Sequence, residues 1–386
     1  SDGSTGSSVK KEVAPRNNAL LREQNPALAE EYMKGGWAHP TFQPEVGGLL
    51  LRRPFEAEIL STDGHWRRLI LKAAKKDMLR SQTDLPASPD AVEARFEAWQ
   101  ANIPYMFRKA ERLVSREIKK IVEAANSGKS VTKEQMALLQ MYQVYSKSWQ
   151  EVILLLSYSP KDGATGVVIN RPLQIGLQPQ LAALIHGGQA SLEKAVISLT
   201  TKGPSQVFEG QDDVKEFAEA FKDGVVYNGG PDDQELPGTV IHGVDDIAFE
   251  GSQELTPGAR IYLGGLQAAS RSLIEQKRGG EAVGGGIIER EALLEKTEED
   301  EEEKTVDVLD FRLFVGKRRW KAGELETEMR RGVWQAAAVA RPIALKQCLA
   351  LPKPLWHEVM ELIGGDSEQL SRFEFMRRDD LEEEEE

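Results

Sequence analysis

Apolar positions along the chain change period several times, and each change predicts a different element. Leu49-Leu50-Leu51 and Val152-Ile153-Leu154-Leu155-Leu156 are short continuous apolar runs, which suit strands buried on both faces. Gly166-Val167-Val168-Ile169 follows the turn signal Pro160-Lys161-Asp162-Gly163 and completes a predicted hairpin. Further strands are expected at Ala195 to Leu199, Val225 to Tyr227, Thr239 to His242, Arg260 to Leu263 and Phe311 to Val315. Glu58-Ile59-Leu60 and Leu69-Ile70-Leu71, flanking Ser61-Thr62-Asp63-Gly64, read as another hairpin over about 55 to 72.

Elsewhere the period is helical. Ser88-Pro89-Asp90 is a start signal, with serine able to cap free amides and proline harmless in the first turn. From Phe107, the residues Ala110, Val114, Ile118 and Ile121 share one helical face, with Gly128 as the stop. Thr132 and Gln135 make a capping-box pair before Met136, Leu139, Tyr142 and Tyr145. A helix is also expected from Asp213 to Phe221, and a short one over Ala19 to Met33. Strand runs at both ends around a helical block predict an α+β (mixed α/β) fold, a central mixed sheet with flanking helices and an α-helical insertion.

This gives a domain plan for the 386 residues. Residues 1–36 are a disordered lead with a short helix, 37–56 together with 149–365 form the core, and 57–148 is an insertion of a hairpin plus helices. Residues 278–305 form a Gly-rich and acidic loop, and 366–386 an acidic disordered tail.

Charge narrows the partners. The chain has 49 Lys and Arg against 62 Asp and Glu, net −13, which repels phosphate backbones as a whole and argues against DNA. The helix from Phe107 is an exception: Arg108, Arg112, Arg116 and Lys119 run along the face opposite its apolar stripe. That basic face suits RNA, anionic lipid or an acidic protein partner.

Chemistry is sparse. The lone Cys348 excludes an internal disulfide, and His39, His65, His186, His242 and His357 never occur at metal-ligand spacing, so neither metal nor cofactor is expected. No nucleophile elbow or phosphate loop is present, and the longest apolar stretch falls far short of the roughly 20 residues of a membrane-spanning helix. Small-anion candidates remain. Asn170-Arg171-Pro172 ends a strand, Gly229-Gly230-Pro231 could bring backbone close to an anion, and His242 closes a strand beside Gly243.

The stretch Glu151 to Leu173, with its Gly-Val-Val-Ile-Asn-Arg-Pro strand, resembles the signature of the YqgE/AlgH family. Asn228-Gly229-Gly230-Pro231, Thr239-Val240-Ile241-His242 and Phe314 to Trp334 follow in the order that family shows. Trp37-Ala38-His39-Pro40 and Pro160-Lys161-Asp162-Gly163-Ala164-Thr165-Gly166 look most like the plant and algal branch. The resemblance implies a chloroplast protein, stromal or attached to a plastid complex, with the cytoplasm as the alternative, and it implies no settled reaction. Two departures stand out: Gly316-Lys317-Arg318-Arg319-Trp320 places three cations where small residues are usual, and Glu324 stands in place of glutamine. The expected function is a non-enzymatic interaction or regulatory protein within a larger assembly. The alternatives are a small-anion binder or enzyme at Asn170, Arg171 and His242, and a nucleic-acid-binding regulator.

Overall fold

A computed structural model describes residues 35–81, 88–244, 250–283 and 306–382. Its first sheet contains β1 (Ala38–Pro40), β2 (Leu49–Arg52), β3 (Val152–Ser159), β4 (Gly163–Val168), β10 (Arg318–Trp320) and β11 (Trp334–Val339), in the order β1-β11-β2-β3-β4-β10. All its pairings are antiparallel. The continuous apolar runs are explained by cover on both faces. Leu49, Leu51, Val152, Leu154 and Val167 enter one apolar cluster, whereas Leu50, Ile153, Leu155 and Val168 enter another on the opposite side.

The second sheet orders β5 (Val226–Asn228), β9 (Phe311–Val315), β6 (Thr239–His242), β8 (Tyr262–Gly264) and β7 (Ser252–Glu254). Among the described residues, only β5 and β9 run parallel among its pairs. Phe217, Phe221, Phe311 and Leu313 join an apolar cluster with residues of the flanking helices. The mixed α+β architecture expected from the periodicities is present.

Among the described residues, five helices lie between β2 and β3: α1 (Phe55–Ser61), α2 (His65–Ser81), α3 (Pro89–Gln100), α4 (Ile103–Asn126) and α5 (Lys133–Ser148). Their starts obey the predicted local chemistry. Ser88 Oγ accepts from Ala91 N at 3.2 Å, and both halves of the Thr132/Gln135 capping box are formed. The predicted 55–72 hairpin is replaced by α1 and α2. Phe55 and Ile59, then Ile70, Ala74 and Met78, are buried at helical spacing in the cluster that α4 and α5 share, so packing overrides the strand-like triplets. Asp63-Gly64 lies between the two helices rather than at a hairpin tip.

After β4 come α6 (Pro179–Lys202), α7 (Asp212–Ala220), α8 (Leu266–Val283), α9 (Glu324–Arg330), α10 (Arg341–Ala344), α11 (Leu355–Ile363) and α12 (Gly365–Glu382). The strand expected at 195–199 is the second half of α6, which is kinked at Gly188; Ala195 is buried there while Val196 and Ile197 are exposed. The tail expected to be disordered from 366 is helical through 382, because Leu370 and Phe373 bury against the core and Phe373 meets Phe107 of α4 edge-on. Helix α8 runs into the predicted 278–305 loop as far as Val283. The predicted lead and helix before residue 35, the rest of that loop and residues 383–386 lie outside the described residues.

Candidate functional site

The chain passes from α5 into β3 through Trp149, Gln150 and Glu151, and Gln150 holds a left-handed backbone at φ 53°. Asn170 accounts for much of that corner. Its Oδ1 accepts from Val152 N at 2.9 Å and its Nδ2 donates to Gln150 O at 2.8 Å. Arg171 donates to the carbonyl oxygens of Trp149 and Asn170, while its own carbonyl accepts from Asn228 N at 2.9 Å. These side chains therefore satisfy backbone groups that burial would otherwise leave unpaired. Burial of Glu151 raises its carboxyl pKa, opposed by the charges of Arg318, Arg171 and Arg52; burial also lowers the pKa of the Arg171 guanidinium, opposed by Glu151.

Gly229 and Gly230 pack against the start of β10. A Cβ on Gly229 would collide with the carbonyl of Gly316, and one on Gly230, at φ 146°, with that of Lys317. Close backbone approach explains both glycines without an anion. Asn228 pairs with Val315, whereas His242 pairs with Phe311 four residues back along β9, a separation of about 13 Å at the usual strand rise. The fold thus brings Asn170, Arg171 and Gly229 together and leaves His242 apart. His242 is buried, its Nε2 sits 3.2 Å from Ser252 Oγ, its Nδ1 accepts from Val244 N, and its ring stacks on Tyr262.

A separate cavity of about 700 Å³ opens between the two sheets, lined by Ser157, Thr165, His186, Thr239, Glu250 and Lys317 among others. No sequence motif marked it, since its walls come from seven stretches of chain. Burial lowers the His186 pKa, against the raising effect of Asp213, which favours the uncharged imidazole. Two of the three cations that depart from the family pattern have local partners: Arg318 lies over the rings of Trp320 and Trp334 at 5.7 and 5.8 Å, and Arg319 pairs with Asp233 at 3.1 Å.

On α4 the predicted basic face exists. Ala110, Val114 and Ile121 are buried, Arg112, Arg116 and Lys119 are exposed, and these three cations make no ion pair among the described residues. Arg108 is different; half-buried, it donates to Met376 Sδ of α12 at 3.4 Å. Among the described residues no group of three or more His, Cys, Asp or Glu is placed to hold a metal ion, and no helix is long and apolar enough to cross a membrane.

The AlgH-like family model matches residues 137–284 and 287–368, more than half of the chain. The chain belongs to the AlgH-like family. The family resemblance read from Glu151 to Trp334 is borne out at that level. Similar solved structures include a crystal structure of a Corynebacterium diphtheriae protein, 16% identical over 57% of this chain and 82% of that one, with a TM-score of 0.32. The solution structure of the AlgH protein from Pseudomonas aeruginosa is 21% identical over 51% of this chain and 70% of that one, with a TM-score of 0.27. No curated protein sequence matches. In this AlgH-like chain, β1, β2 and α1 to α4 precede the matched range.

Proposed function

We propose that this AlgH-like protein is a non-enzymatic interaction protein, a component or adaptor of a larger plastid assembly, which attaches to its partner through the basic side of the helices between β2 and β3. One contrast carries the reading. Asn170, Arg171, Gly229, Gly230 and His242 are engaged in holding the fold, while Arg112, Arg116 and Lys119 stand exposed in a row without an ion pair among the described residues. Unpaired surface cations aligned on one rigid helix are arranged for an anionic partner rather than for stability.

The helical segment 57–148 is read as an insertion into the family domain. In support, β2 lies between β11 and β3 in the first sheet although it precedes the matched range, so adjacent strands are separated in sequence by the five helices. The plastid setting rests on the Trp37 to Pro40 and Pro160 to Gly166 motifs, which look like those of the plant and algal branch.

The test is affinity enrichment from plastid extract with the full chain and with R112E/R116E/K119E. The proposal expects a defined partner set to be lost from the variant at unchanged melting temperature. Equal recovery by both chains would overturn it. The cavity of about 700 Å³ favours a second reading, a small-ligand binder, for which Lys317→Glu would abolish ligand-induced stabilisation and R112E/R116E/K119E would not.

A further inference from the structure

Helix α2, which the sequence pattern presents as half of a hairpin, carries a second basic row. Arg68, Lys72 and Lys76 recur every four residues and are all exposed, opposite the buried Ile70, Ala74 and Met78. Like Arg112, Arg116 and Lys119 of α4, they make no ion pair among the described residues. The buried stripes of both helices enter one apolar cluster, and each basic row lies on the reverse side of its own helix.

The two helices are antiparallel. Asp77, near the end of α2, accepts from Lys109 at 2.5 Å and from Tyr105 at 3.2 Å, near the start of α4. At the other end Trp66 donates to Glu134 O at 3.4 Å, and the neighbouring Gln135 donates to Glu117 of α4 at 2.7 Å. A four-residue step is about 6 Å along a helix, and packed helices lie roughly 8–10 Å apart. Arg68, Lys72 and Lys76 therefore form a row about 12 Å long on one side of a rigid helix.

Charge is unevenly distributed in the same sense. Residues 57–148 contain sixteen Lys and Arg against eleven Asp and Glu, net +5, in a chain of net −13, so the remainder carries −18. At physiological salt that acidic remainder is screened beyond about 8 Å, and a surface touching this face meets its cations first. Apolar residues stand among the cations: Leu69 and Leu79 are 42% and 40% exposed on the outward arc of α2. Nucleic-acid phosphates offer a leucine nothing, whereas a bilayer interface accepts both the charge and the alkyl group.

We infer that the outward face of α2 docks on an anionic lipid surface, with Arg68, Lys72 and Lys76 on headgroup anions and Leu69 and Leu79 entering the interface. This rests on the reading of the helical segment as an attachment surface and names what it attaches to.

The experiment is co-sedimentation of the full chain with vesicles of equal parts phosphatidylglycerol and phosphatidylcholine, or of phosphatidylcholine alone. Binding is expected only to the anionic vesicles, falling as salt rises. R68E/K72E/K76E, which changes the charge by twice as much as neutralisation, should weaken it by more than about a thousandfold, and L69S/L79S, with charge unchanged, by several-fold. If the charge-reversed chain fails to fold, R68Q/K72Q/K76Q serves, with roughly a hundredfold loss expected from about fivefold per cation. No binding to anionic vesicles, or binding that ignores both sets of substitutions, overturns the lipid inference. If vesicles fail but duplex RNA or a protein partner is held in an Arg112- and Arg116-dependent way, the attachment reading survives without lipid; if nothing depends on those cations, both fall.

Discussion

Lys109 and Asp77 form a 2.5 Å ion pair that joins α4 to α2. The hydrogen bond from Lys109 holds the Asp77 carboxyl below the usual carboxylate range, with Tyr105 adding to it. A depressed carboxylate stabilises the fold above its unfolded pKa of about 3.9, and that contribution is lost as pH falls through the lower folded value. Asp77→Asn is therefore expected to lower stability near neutral pH by no more than about 1 kcal/mol, since both partners are partly exposed. Urea titrations should show a lower midpoint at pH 7 at unchanged slope, and a gap between the two chains that closes below about pH 4.

Asn170 offers a sharper test of structure against ligand binding. Asn170→Ala removes the partners of Val152 N and Gln150 O at a buried corner and should destabilise by about 1–3 kcal/mol per group left unsatisfied. Thermal melting in the absence of any ligand measures this. An unchanged melting temperature would return Asn170 to the list of ligand residues.

How far the site was legible depended on the kind of signal. The apolar face of α4 and its basic reverse were readable because both follow from one helix's periodicity. Leu49 to Leu51 and Val152 to Leu156 were readable as strands because cover on both faces leaves a continuous apolar run. The basic row of α2 was hidden, since Leu69-Ile70-Leu71 looks like a strand until Ile70 alone is seen to be buried deeply. Arg171 and Asn170 looked like ligand residues because the sequence does not reveal that Trp149, Gln150 and Val152 leave backbone groups needing partners there. The cavity between the sheets left no local trace at all.

Glu328 Oε2 accepts from both Trp320 Nε1 and Trp334 Nε1, at 2.9 and 2.6 Å. Glu328→Leu leaves two part-buried indole donors without that acceptor and should cost about 2–4 kcal/mol, read as a lower melting temperature. Trp334→Phe in the same background should cost less than it does in the natural chain, a non-additivity that a double-mutant cycle detects.

Cys348 is half-buried, and desolvation pushes its thiol pKa up to about 11. At pH 8 the thiolate fraction is then about two orders of magnitude below that of a free cysteine with pKa near 8.5. Thiol labelling at pH 8 should be slow in the native protein and fast in denaturant.

The attachment face itself is tested most directly by photo-crosslinking in plastid extract. A photoactivatable residue is placed at Ser115, exposed on α4 beside the cations, or at Lys194, exposed on α6. Crosslinks from Ser115 that disappear at high salt, with none from Lys194, are the predicted result. Equal crosslinking at both positions, or crosslinks from Lys194 alone, would contradict attachment through the helical segment.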